Sequence, residues 1–297
     1  MGVVLGGPLA SRQSHLDAFR DGMRALGYME GRNVAYEIRA PKGDDDAPFA
    51  EFAADLIRLQ VDILVVQATG PILAAKQATS AIPIVMAPAS DPLGTGIVTS
   101  LARPGGNITG VSVFSEALSG KRLQLLSELV PGISRVAIIW NPGNPSNPGD
   151  LERVKAAART LNVQLLNLEV RQASDLQKVF DAAVKARAGG LMILEDRFLF
   201  GLRRKITDLA LEHRLAAVYA QSGYVEAEGL AVYAPDTLHM IRRAATYVDK
   251  ILKGARPGDL SIEQPTVFEL VVNAKVAKAI GLTIPKSVIA RADRVIE

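Results

Sequence analysis

Several polar residues stand directly after short apolar runs, and their types suit charge recognition rather than bond breaking. Ile63 to Val66 leads into Thr69-Gly70-Pro71. Proline is favourable at a first helical position, and Thr or Gly serves as the cap before it. A helix starting there exposes N–H groups that can hold a carboxylate, although a plain helix cap explains the same residues. Ile84 to Met86 leads into Ser90-Asp91-Pro92, which repeats the cap-then-proline pattern. Asp91 suits an ammonium, or again a cap. Further on, Val136 to Trp140 ends at Asn141-Pro142, and Leu191 to Leu194 ends at Glu195-Asp196. Ala216 to Tyr219 runs into Ala220-Gln221-Ser222 and then Tyr224. An acid closing an apolar strand is a natural partner for a ligand cation, and Trp140, Tyr219 and Tyr224 can cover a ring. Each residue alone also has a structural reading. If the apolar runs are parallel strands, all of these groups lie beyond strand carboxyl ends, where open α/β sheets bind ligands. The candidate binding set is therefore Thr69, Gly70, Pro71, Ser90, Asp91, Asn141, Asp196, Tyr219, Gln221 and Ser222.

The signatures of catalysis, metals and cofactors fail one by one. The chain has no cysteine, which removes thiolate chemistry, disulfides and cysteine-ligated zinc. Gly120-Lys121 is followed by Arg122 and lacks the upstream glycine of a phosphate-binding loop. Gly94-Thr95-Gly96 lacks the third glycine of a dinucleotide fingerprint, and no Gly-x-Ser-x-Gly elbow exists. His15, His213 and His239 stand singly, without metal-ligand spacing. Asp44-Asp45-Asp46 lacks the remaining ligands of a calcium loop and reads as a solvated loop. No cofactor, metal or catalytic residue is expected. The 34 basic and 31 acidic residues leave a net charge of +3, with pairs such as Arg242-Arg243 dispersed on helix faces. Neither a basic stripe nor interleaved aromatics point to nucleic acid.

The elements that must position these residues follow from periodicity. Apolar runs at Val3 to Leu5, Val34 to Ile38, Ile63 to Val66, Ile84 to Met86 and Ile108 to Val113 form one set of strands. Val136 to Trp140, Val163 to Leu168, Leu191 to Leu194, Ala216 to Tyr219 and Leu230 to Val232 form a second. Runs apolar at every position suit parallel strands covered on both faces. Leu151, Val154, Ala158 and Leu161 share a helical face, as do Leu238, Ile241, Ala245, Val248 and Leu252. Strand–helix alternation predicts α/β architecture with parallel sheets. The expected division is one lobe of residues 1–115 plus about 236–297 and a second of about 116–235, with the ligand in a cleft between them. The break falls near Phe114 to Gly120, and a second crossing near Ala234 to Asp236. Asn141 to Gly149, rich in Pro, Gly and Asn, reads as neither helix nor strand. No stretch reaches the roughly 18 apolar residues of a membrane helix. The chain starts almost at once on a strand-like run, so an N-terminal segment is expected to have been removed or left out.

Three segments carry a resemblance. They are Leu26-Gly27-Tyr28-Met29-Glu30-Gly31-Arg32-Asn33-Val34, Leu101-Ala102-Arg103-Pro104-Gly105-Gly106-Asn107-Ile108-Thr109-Gly110, and the C-terminal set. The last comprises Gln264-Pro265-Thr266, Phe268-Glu269-Leu270-Val271-Val272-Asn273 and Arg291-Ala292-Asp293. In order and over essentially the whole chain, they resemble a family of ABC-transporter substrate-binding proteins, the one that includes tryptophan- and tyrosine-type uptake proteins. The resemblance implies two Rossmann-like lobes joined by a hinge, a type I periplasmic-binding-protein-like build. It further implies a periplasmic or lipid-anchored extracytoplasmic location, although no export signal is present in this chain. Delivery to an ABC permease and its ATPase also follows, and a monomer is expected. The ligand expected is a small molecule, best an amino acid, with aromatic ones included. Physically the motifs are mostly turns: Gly27 reads as a helix C-cap and Glu30-Gly31 as a turn into the next strand. Two other classes remain open. The effector domain of a regulator would need a DNA-binding segment upstream. An α/β enzyme such as a sugar-nucleotide transferase would need turnover of a candidate substrate.

Overall fold

The computed structural model describes residues 1–43, 48–113 and 116–297, and all of their side chains except those of 116 and 117. The acidic run Asp44-Asp45-Asp46 and the start of the break read at Phe114 lie outside the described residues. The chain forms two compact units, Met1–Ser115 with Thr237–Thr266 and Glu116–Asp236 with Val267–Glu297.

In the first unit β1 (Gly2–Val4), β2 (Glu37–Arg39), β3 (Leu64–Val66), β4 (Ile84–Ala89) and β5 (Ile108–Ser112) make one parallel sheet, ordered β2-β1-β3-β4-β5. Helices α1 (Leu9–Ala25), α2 (Phe49–Arg58) and α3 (Thr69–Ala78) alternate with the strands. Both faces are buried, as the uniformly apolar runs require. Val3, Leu5, Val65 and Val85 pack into one core with Phe19 and Met23 of α1, while Val4, Leu64, Val66 and Ile84 pack into another with Leu56 and Ile72. Helix α1 stops where Gly27 takes φ +88°, with Tyr28 N–H donating to Met23 O at 3.0 Å. That is the left-handed ending for which glycine is favoured.

The second unit carries α4 (Glu116–Leu129), β6 (Arg135–Trp140), α5 (Asn147–Leu161), β7 (Gln164–Glu169), α6 (Asp175–Lys185), β8 (Gly190–Ile193), α7 (Arg197–Gly201), α8 (Arg203–Glu212), β9 (Ala216–Tyr219) and β10 (Ala231–Pro235). The chain then returns to the first unit as α9 (Thr237–Leu252), whose Ile241, Ala245 and Val248 join the core of α1. It ends with β11 (Phe268–Asn273), α10 (Ala274–Ala279), α11 (Lys286–Ile289) and β12 (Arg294–Ile296). The second sheet is ordered β12-β11-β10-β9-β8-β6-β7.

Three expectations are corrected. Residues 267–297 belong to the second unit, not the first, because β11 pairs antiparallel with β10 and β12 extends the same sheet. The segment Phe268 to Asn273 is thus a strand as well as a motif. The Pro/Gly/Asn-rich run is loop only through Ser146, since Asn147 starts α5 with Pro148 in its first turn. Proline is tolerated there because a first-turn N–H has no helical acceptor to lose.

Candidate ligand-binding site

In the first unit the carboxyl end of β3 turns into α3 through Gln67 and Ala68. Gln67 N–H donates to Val4 O and Ala68 N–H to Pro88 O, each at 3.0 Å. Ala68 takes φ +70°, which lets the helix start at once. Thr69 is buried, and its hydroxyl donates to Ser90 O at 3.1 Å, tying the helix start to the end of β4. The first main-chain bond of the turn runs from Ile72 N–H to Ala68 O. The N–H groups of Thr69 and Gly70 have no acceptor among the described residues. A Cβ built on Gly70 would meet nothing within 4 Å. Two main-chain donors at a helix N-terminus therefore adjoin open space, the geometry that favours an anion or other acceptor. Pro71 is buried and brings no donor.

Asp91 behaves differently from expectation. It is buried at φ +38°, and its Oδ1 accepts from Gly94 N–H at 2.8 Å. Its carbonyl accepts from Thr95 N–H and the Thr95 hydroxyl. Ser90-Asp91-Pro92 thus closes a turn and starts no helix. A short acidic side chain bonded two or three residues ahead stabilises such turns.

In the second unit Asp196 is 3% exposed and caps α7. Oδ1 accepts from Leu199 N–H at 2.7 Å, while Oδ2 accepts from the Asn141 and Asn144 amides at 3.2 and 3.0 Å. Burial raises its pKa above the ordinary value, and these three donors oppose the rise. The carboxylate expected to meet a ligand ammonium is thus engaged in capping and loop bracing. Asn144 and Asn147 amides donate to Glu195 O, and Asn147 Oδ1 accepts from Asn141 N–H, so Asn141 is part of the same brace. Glu195 itself is half-buried.

Tyr219 and Tyr224 are interior residues, 1% and 2% exposed. Burial pushes the Tyr219 phenol well above its usual range. They pack in the core with Phe180, Phe198 and Phe200, which corrects their role as ligand walls. Gln221 and Ser222, after β9, are half-buried and their side chains make no hydrogen bond among the described residues. Trp140 is partly buried against the core of α4 and α5, and its indole N–H has no acceptor among the described residues.

One residue of this edge was not singled out from sequence. Arg122 of α4 is 5% exposed. Nε donates to Tyr233 O at 2.8 Å and Nη2 to Ala220 O at 3.3 Å. The register Val232↔Tyr219 continues to set Tyr233 level with Ala220, just past the end of β9. Burial lowers the Arg122 pKa, and the nearby charges of Glu195 and Asp150 oppose that. A signal existed: Leu118, Arg122, Leu125, Leu126 and Leu129 share one helical face, so an arginine sits in an apolar stripe.

Among the described residues, no group of three or more His, Asp or Glu side chains could hold a metal ion. No helix among them is long and apolar enough to cross a membrane. Comparison with known proteins agrees with this fold. A tyrosine-binding protein of Clostridioides difficile (strain R20291) is 23% identical over 257 residues, 86% of this chain and 73% of that protein. The crystal structure of a conserved domain protein from Vibrio cholerae superposes with TM-score 0.93 at 26% identity, covering 99% of this chain and 98% of that one. A Streptococcus pneumoniae ABC domain in complex with L-Trp gives 0.92 at 23% identity, with the same coverage. The fold is the type I periplasmic-binding-protein-like α/β build. The family model for ABC transporter substrate binding proteins matches residues 5–296, and the chain belongs to that family.

Proposed function

We propose that this protein binds an amino acid outside the cytoplasm, delivers it to an ABC permease and its ATPase, and performs no chemistry on it. The observation that carries the reading is the pair of N–H donors at Thr69 and Gly70, without an acceptor among the described residues, at a strand carboxyl edge with open space beside Gly70. They suit an acceptor on the ligand. In the second unit, Glu195 is the half-buried acid past the end of β8. Gln221 and Ser222 lie half-buried past the end of β9 in the same unit. The tyrosine-binding relative and the neighbour in complex with L-Trp favour an aromatic amino acid.

The test is thermal unfolding of the purified protein against each standard amino acid, with native mass spectrometry for co-purified ligand. A ligand at 100 times its dissociation constant adds about 2.7 kcal/mol, a plain upward shift. Stabilisation by tryptophan, tyrosine or another amino acid is the expected result. No shift with any of the twenty, alongside a co-purified ligand of another class, refutes the amino-acid reading.

A further inference from the structure

We propose that Arg122 is the residue that receives the carboxylate of the bound amino acid. This rests on the reading that the ligand is an amino acid, and it assigns the full negative charge to a formal cation in the second unit.

Four observations carry it. The guanidinium is withdrawn from solvent, at 5% exposure. Its two hydrogen bonds both go to neutral main-chain carbonyls, Tyr233 O and Ala220 O, which leaves three of five N–H groups, including both on Nη1, without an acceptor among the described residues. No acidic side chain among the described residues lies within ion-pair distance, although Glu195 and Asp150 are near enough to act on its charge. Finally, Ala220 is followed by Gln221 and Ser222, the half-buried polar pair whose side chains also lack partners among the described residues. A buried cation is costly unless paired, and arginine offers its spare N–H groups as a fork that fits a carboxylate. The two carbonyl bonds hold the fork still at the edge where such sheets bind ligands. Helix-dipole donors carry only a fractional charge, so Arg122 is the stronger anchor for a full negative charge.

The test compares an amino acid with its own carboxamide, which keeps the side chain and the ammonium but removes the anion. The probes are L-tryptophan and L-tyrosine with L-tryptophanamide and L-tyrosinamide, titrated by calorimetry into wild type, Arg122→Gln and Arg122→Lys. If tryptophan and tyrosine are silent, the amino acid found in the thermal screen and its amide replace them. Wild type is expected to prefer the acid by at least about tenfold. Arg122→Gln is expected to bring acid and amide within about twofold, with Arg122→Lys between. The ratio within each variant is read, so a general loss of stability does not imitate the effect. Equal binding of acid and amide by wild type overturns the proposal while the amino-acid reading stands. A preference that survives in Arg122→Gln places the carboxylate elsewhere and also overturns it. If no amino acid binds wild type at all, the ligand reading has failed and the proposal falls with it.

Discussion

Tyr219 and Tyr224 stack face to face in the second unit, with ring centroids 4.4 Å apart and planes 14° from parallel. Phe200 meets Tyr224 edge-on at 5.9 Å. Gly229 leaves room for the pair, since a Cβ there would lie 2.8 Å from the Tyr219 ring. Tyr219 ends β9 and Tyr224 follows it, and both read in sequence as cover for a ligand ring, but they cover one another.

Tyr219→Ala is therefore expected to be a stability variant. Removing a buried ring costs about 3–5 kcal/mol. Urea unfolding should show that loss, while protein that remains folded keeps its ligand affinity. Near-normal stability with abolished binding would return Tyr219 to the site.

Gly22 and Gly120 test packing in opposite directions. A Cβ on Gly22 would lie 2.7 Å from Arg242 O and 3.0 Å from Ala245 Cβ, so α1 and α9 approach closely only because Gly22 has no side chain. Gly22→Ala should cost about 1–3 kcal/mol by overpacking. A Cβ on Gly120 would make an ordinary 3.5 Å contact with Ala157. Gly120→Ala should instead stabilise α4 by about 0.5–1 kcal/mol. Chemical denaturation of both variants decides the pair.

Gly70→Leu should separate binding from folding. A Cβ on Gly70 would meet nothing within 4 Å, so a side chain can leave the helix there without a clash at its root. The melting temperature without ligand should stay close to wild type, while affinity for the amino acid falls as the side chain occupies the space beside the Thr69 and Gly70 donors. Unchanged affinity by calorimetry would remove α3 from the site.

Asp196→Asn should alter the pH dependence of stability. Asn also caps helices well and does not titrate. Burial raises the Asp196 pKa above its ordinary 3.8 in the folded protein. Between the unfolded and folded values the native state binds more protons, so this contribution is full below about 3.8 and is lost as pH rises through the folded value. The stability of wild type minus that of the variant should therefore fall from acid pH upward and level off above the folded pKa. Urea midpoints across a pH series measure it, and a difference that rises with pH would contradict the direction.

Much of the fold was legible in local pattern. Val3 to Leu5, Ile63 to Val66 and Ala216 to Tyr219 are apolar at every position, because parallel strands are covered on both faces. Gly27 at φ +88° ends α1 as its place after a helical run implies. The start of α3 after β3 was legible too, but not its cap: Ala68 is the N-cap, Thr69 already the first helical residue and Pro71 the third, because the positive φ of Ala68 starts the helix earlier. Phe268 to Asn273 was harder: Glu269 and Asn273 break the run, and its partner β10 lies 33 residues or more earlier in the chain.

The sequence by itself determined the α/β alternation, the carboxyl-edge candidates and the family, because these depend on periodicity and on residues adjacent in the chain. Only the tertiary structure decided which candidates remain available. Asp196 and Asn141 are 55 residues apart, yet the Asp196 carboxylate is taken up by Leu199, Asn141 and Asn144. Tyr219 became core and Arg122 became the buried cation of the edge for the same reason. Burial and hydrogen-bond satisfaction are set by segments distant in the chain, and local spacing carries no record of them.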